Sequence, residues 1–157
     1  AGGEGVLGPL AAVFSAPNAR SEENEQATDN VIATLTKMLE YQASCIPDKA
    51  GVSQAILSYL PLKADLVEAK VTHAGFIRAI ERGDPNILAG GDVSNLTNIL
   101  RIFAEILGTE LITAEYSARA VAVLKSLQAT MPADNMVAAS NVLTATHKGK
   151  LQAALQS

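Results

Sequence analysis

The chain has 157 residues, enough for one domain with a real core; 48% are hydrophobic, only 4% are aromatic, and there is no Trp. A formal net charge of −4 without a basic stripe argues against nucleic acid as a partner, since nothing is arranged to neutralise phosphates. No apolar run approaches the ~20 residues of a membrane span, which argues against membrane insertion, and the single Cys45 forms no internal disulfide, pointing to a reducing compartment.

The start, Ala1-Gly2-Gly3, has no initiator Met and reads as a cut from something longer. Val6 to Ser15 is a short apolar segment, expected as a helix interrupted by Pro9, followed by a loop at Pro17 and Asn18. Ser21 is the expected N-cap of the next helix, with Glu22, Glu23 and Glu25 crowding its first turn, where carboxylates complement the macrodipole. Val31, Ile32, Leu35, Met38 and Leu39 carry its apolar stripe to about Tyr41. Val52 to Leu60 is a compact helix ending at Pro61. Asp65, with Glu68 three residues on in a capping-box arrangement, opens a helix to Arg82 with Leu66, Ala69, His73, Phe76, Ile77 and Ile80 on one face. Gly83 and Pro85 stop it. Ile87 to Val93 is expected as a Gly-containing loop, and Ser94 or Asn95 as the cap of the clearest helix, Asn95 to Leu107. There Leu96, Ile99, Leu100, Phe103, Ile106 and Leu107 form one stripe of period 3.6. Gly108 closes that helix, and Thr113 caps the next, which runs to about Met131. After Pro132, Asn135 to Leu143 and His147 to Gln156 make a last short hairpin.

The first helices of successive pairs begin near Val6, Gly51, Asn95 and Ala133, a spacing of 45, 44 and 38 residues. Two helices recurring every ~40–47 residues is the pattern of HEAT or armadillo repeats. The expected fold is therefore all-α, an α-solenoid of about four hairpins spanning roughly 6–41, 51–82, 95–131 and 133–157. Each hairpin would bury its stripe against its neighbours.

The run Tyr59-Leu60-Pro61-Leu62, then Asp65, Glu68-Ala69, Phe76, Ile80-Glu81 and Asp84-Pro85, resembles the C-terminal region of importin-beta-type nuclear import receptors. It is most similar to the importin five or karyopherin beta three subgroup. Ile87-Leu88, Asn95-Leu96, Ile99 and Ile102-Phe103-Ala104-Glu105 continue the resemblance, as do Ala27-Thr28-Asp29-Asn30 upstream and Leu151-Gln152-Ala153-Ala154-Leu155 downstream. It is weak over Gly108 to Ala118 and over the first twenty residues. The resemblance implies a protein-binding segment of a receptor that carries cargo through the nuclear pore, shuttling between cytoplasm and nucleus. Its implied partners are proteins with basic localisation signals, Phe-Gly nucleoporins and Ran-GTP, the last chiefly through repeats this chain would lack. By family analogy the second helix of each pair lines the concave side, which would place Glu22, Glu25, Asp29, Glu68, Glu81 and Glu115 on or beside an acidic docking face. The competing reading is that these carboxylates only favour helix starts and keep a surface soluble. A scaffold or adaptor on the same solenoid is the alternative function, because fold alone does not separate the two.

No catalysis and no cofactor are expected. His73 lies on an apolar stripe and reads as a structural histidine, and with His147 and Cys45 it makes no metal-ligand spacing. Cys45 lacks a neighbouring base. Gly90-Gly91 follows no strand and is a turn rather than a phosphate loop. Phe14, Phe76, Phe103, Tyr41, Tyr59 and Tyr116 sit at core-like positions.

Overall fold

The computed structural model describes residues 24–156, and among them all regular structure is helical. The expected Val6 to Ser15 helix, the Ser21 cap and Glu22 lie outside the described residues. The α helices are α1 (Glu25–Tyr41), α2 (Lys49–Tyr59), α3 (Leu66–Glu81), α4 (Pro85–Leu88), α5 (Val93–Ile106), α6 (Ala114–Thr130), α7 (Ala133–Val142) and α8 (Ala145–Gln156), with 3-10 turns at Ala43–Cys45 and Ala89–Gly91.

Short polar side chains set most of the helix starts. The Asp65 carboxylate accepts from the amides of Val67 at 2.9 Å and Glu68 at 3.1 Å, and Thr113 accepts from Tyr116 N at 3.3 Å, both as expected. Two starts differ. Helix α2 begins three residues before Val52 because Asp48 accepts from Gly51 N at 2.9 Å. The cap of α5 is Asp92 and not Ser94: the Asp92 carboxylate takes the amides of Ser94 at 2.9 Å and Asn95 at 3.2 Å, so Ser94 lies inside the first turn. At the end of α3, Gly83 adopts φ 72°, its amide reaching Ile80 O at 2.9 Å while Asp84 N reaches Ala79 O at 3.0 Å. These bonds satisfy the last carbonyls of the helix. Part of the expected 87–93 loop is instead the single turn α4, because Asp84 caps it and Pro85, with its φ preset, occupies the first helical position.

The helices pack in two rows. In the first row α1 lies against α3, α3 against α6, and α6 against α8; in the second, α2 lies against α5 and α5 against α7. α1 also packs on α2, and α8 on α5, which joins the rows. Between them runs one core, with Ile32, Leu57, Leu62, Ile77, Leu96 and Ile99 fully buried. Phe76 of α3 meets Phe103 of α5 edge to face at 5.9 Å between ring centroids. Phe76, Phe103 and Tyr59 are core as expected, but Tyr41 is 73% exposed, because it ends α1 on the outer face. Phe14 lies outside the described residues.

Candidate interaction surface

Polar side chains tie α1 to α3 and α3 to α6 at a constant sequence offset. Arg78 of α3 donates to both carboxylate oxygens of Glu40 on α1, from Nε at 2.7 Å and Nη2 at 2.8 Å, across 38 residues. Its Nη1 donates to the Tyr116 hydroxyl of α6 at 2.7 Å, again across 38. Arg119 of α6 donates to both oxygens of Glu81 at the same offset and stacks over the Tyr116 ring, 4.4 Å from its centroid. Arg82 adds a looser contact to Glu40 at 3.3 Å. The second row has its own ties. Gln54 donates to Asn95 Oδ1 at 2.8 Å across 41 residues. Arg101 of α5 donates to the carbonyls of Leu57 and Leu60, both at 2.8 Å, at the C-terminus of α2. Those carbonyls form the negative end of the α2 dipole, where a guanidinium is favoured.

The arginines tune this face. The Arg78 hydrogen bond, more than any other influence, holds the Glu40 carboxyl below its usual range, with Tyr41 and Arg82 helping and burial opposing. Arg78 and Arg119 have their proton affinities raised, chiefly by hydrogen bonds to Glu40 and Glu81 respectively.

The expected acidic docking residues do not form one continuous patch. Glu25 is half-buried at the start of α1. Asp29 is 1% exposed and faces inward: its carboxylate accepts from the Tyr59 hydroxyl at 2.8 Å and from the amides of Lys63 and Ala64, both at 2.9 Å. It braces the α2–α3 connection and presents nothing to a partner. Glu68 is half-buried, and Asn30 of α1, turned with its amide nitrogen toward it, donates at 2.8 Å. Glu81 is held by Arg119, and Glu115 lies 3.8 Å from the same guanidinium. Asp65 acts as a helix cap, and the ties between neighbouring helices run through other residues. The ladder residues Glu40, Arg78, Tyr116 and Arg119 were missed in the sequence, although Glu40, Arg78 and Tyr116 recur at equal intervals.

Beside the ladder, α3 and α6 leave an open groove of about 430 Å³. Ile80, Leu88, Val123, Leu127 and Met131 give it an apolar floor, with Arg82 and Ser126 on its rim. A second groove of about 450 Å³ lies between α6 and α8, lined by Leu107, Val121, Ala153 and Ala154 with Lys150 at its edge.

His73 is fully buried with both ring nitrogens engaged, so it is closed to any ligand. Among the described residues no group of three or more His, Cys, Asp or Glu converges as a metal site, and no helix is long and apolar enough to cross a membrane. Cys45 is exposed. No known protein-family model matches the chain.

Proposed function

We propose that this chain is a protein-binding segment of a HEAT-type helical solenoid, from a nuclear transport receptor of the importin-beta kind that imports protein cargo. The observation that carries the reading is the two-row packing with its repeated 38-residue ties, which leaves an apolar groove between α3 and α6. The resemblance of Tyr59 to Asp84-Pro85 and of Asn95 to Glu105 supplies the receptor assignment. On this reading the work is binding rather than catalysis, and no cofactor takes part. The parent protein passes between cytoplasm and nucleus, and its basic cargo and Ran-GTP engage mainly repeats outside this chain.

The occupant of the groove would be an isolated Phe side chain of a Phe-Gly nucleoporin. Burying one Phe is worth about 1.5–3 kcal/mol, so a single site binds no tighter than the millimolar range and strength comes from many sites together. Titrating the isotope-labelled chain with a Phe-Gly-repeat peptide tests this. Amide shifts should be confined to the groove-lining parts of α3, α4 and α6. They should vanish with a Ser-Gly peptide and with Ser126→Trp, which plugs the groove from its exposed rim.

One observation favours the alternative, a scaffold or adaptor subunit of another assembly: Glu81 and Glu115 are both engaged by Arg119, which leaves little uncompensated negative charge here for a basic segment. Absence of shifts with the Phe-Gly peptide and with a basic localisation peptide, alongside firm binding to another assembly, would favour that reading.

A further inference from the structure

His73 joins two connections that belong to different hairpins. Its Nε2 is 3.0 Å from the amide nitrogen of Leu62, in the α2–α3 connection, and accepts that N–H. Its Nδ1 is 2.7 Å from the carbonyl oxygen of Leu111, in the α5–α6 connection. An amide only donates and a carbonyl only accepts, so these partners fix one neutral tautomer, with the proton on Nδ1. The ring is 0% exposed, which leaves no water to take over either role.

We infer that His73 is an acid-released clasp between the second and third hairpins of the stack. A second proton on Nε2 would face the Leu62 N–H, donor against donor, and would place a charge in the core. The protonated state therefore lets go of Leu62, turns outward, and frees the α5–α6 connection that seats α6 against α3. The joint between these hairpins becomes the loosest in the stack below neutral pH.

The surroundings favour the neutral ring. Burial is the largest influence and holds its proton affinity below the ordinary 6.5, outweighing the Leu111 bond and the charge of Asp29, which act the other way. From α1, Asp29 is the charged group acting on the ring, and its carboxylate is engaged by Tyr59 of α2 and by the Lys63 and Ala64 amides. From the α5–α6 connection Glu110 is exposed, and from α6 Glu115 is exposed beside Arg119. None of these offers the ring a compensating ion pair among the described residues.

The direction of the linkage follows. The open form takes up a proton near 6.5 while the closed form resists it, so the opening equilibrium rises about tenfold per pH unit below ~6.5 until the closed form itself is protonated. The experiment is amide hydrogen exchange on the labelled 157-residue chain from pH 7.5 to 5, corrected for intrinsic exchange, alongside the His73 ring titration. The Leu62 amide and the Ser117 amide, which bonds Thr113 O at the start of α6, should lose protection about tenfold per pH unit below ~6.5, while the centre of α1 holds. His73→Gln keeps an acceptor and a donor without titrating, and should show flat protection. Loss of protection over the same window in His73→Gln would overturn the clasp. If that variant does not fold, the wild type decides: Leu62 protection that stays constant from about pH 6.5 to 5 refutes the clasp, and a loss of about tenfold per pH unit there, with the ring itself titrating below 6.5, upholds it.

Discussion

Asp29→Ala should be among the most damaging single substitutions outside the apolar core. The carboxylate is buried and accepts three hydrogen bonds, from the Tyr59 hydroxyl and the amides of Lys63 and Ala64. A hydrogen bond to a charged group is worth about 1.5–3 kcal/mol, and stranding its buried partner accounts for most of that. Tyr59 is 6% exposed, and breaking its hydroxyl's bond to Asp29 costs about 1.5 kcal/mol. The bonds from the Lys63 and Ala64 amides are only part-buried, and each contributes roughly half as much. The sum is about 3 kcal/mol, or a drop of about 2 M in the urea midpoint for a slope near 1.5 kcal/mol/M. Asp29→Asn keeps one acceptor but turns an NH₂ toward donors, and should lose about 2 kcal/mol. Tyr59→Phe should lose about 1 kcal/mol, and a double-mutant cycle with Asp29→Ala should show about 1 kcal/mol of coupling. The assay is urea unfolding followed by circular dichroism at 222 nm. A loss below about 1 kcal/mol for Asp29→Ala, or no coupling to Tyr59, would refute the bracing role.

The same assay separates true caps from neighbours: Asp65→Ala and Asp92→Ala should each lose about 1 kcal/mol, while Ser94→Ala stays within about 0.5 kcal/mol. Gly91→Ala should lose about 2 kcal/mol and Gly90→Ala about 1 kcal/mol, because both sit at positive φ but only at Gly91 would a Cβ meet the Pro132 ring, at 2.9 Å. Glu40 gives a pH signature. Its folded carboxyl lies below the usual 4.5, so the unfolded chain takes the proton first; the stabilisation is complete above ~4.5 and is lost as pH falls through the folded value. Melting from pH 7 to 3 should therefore fall less steeply below pH 4.5 in Glu40→Gln than in the parent, with about 1 kcal/mol at stake because Arg78 is 32% exposed.

The helices were legible because their apolar stripes are local. Leu96, Ile99 and Phe103 lie on one face by spacing alone, and the core follows from that face. Caps were legible where a single candidate stood before the stripe, as with Asp65 and Thr113. They were misread where two polar residues competed: the carboxylate of Asp92 lies two positions before Ser94 and won. Asp29 was unreadable for a different reason. Its bonding partners are 30 to 35 residues away, so its place among nearby carboxylates suggested a surface role that tertiary packing reversed. Helix starts also blurred the register. Counting from them gave unequal spacings, while the Arg78, Tyr116 and Arg119 contacts along the first row repeat at one offset of 38, because they join matching turns of neighbouring helices rather than helix ends.

That fixed offset bears on how the surface would discriminate among partners. Glu40, Glu81 and Glu115 are each matched by a guanidinium from the same or a neighbouring helix, so their field at a distance largely cancels. Long-range steering of a basic partner therefore gains little from this row, and separate weak ion pairs at its rim would be screened by physiological salt. The ladder does something else: it holds α1, α3 and α6 at fixed separation and keeps the floor between α3 and α6 open. On the proposed reading, recognition at this groove is by shape and apolar burial, with affinity nearly independent of ionic strength. Cutting Arg78 or Arg119 should then weaken binding by letting neighbouring helices shift, even though the ladder itself need not touch the ligand.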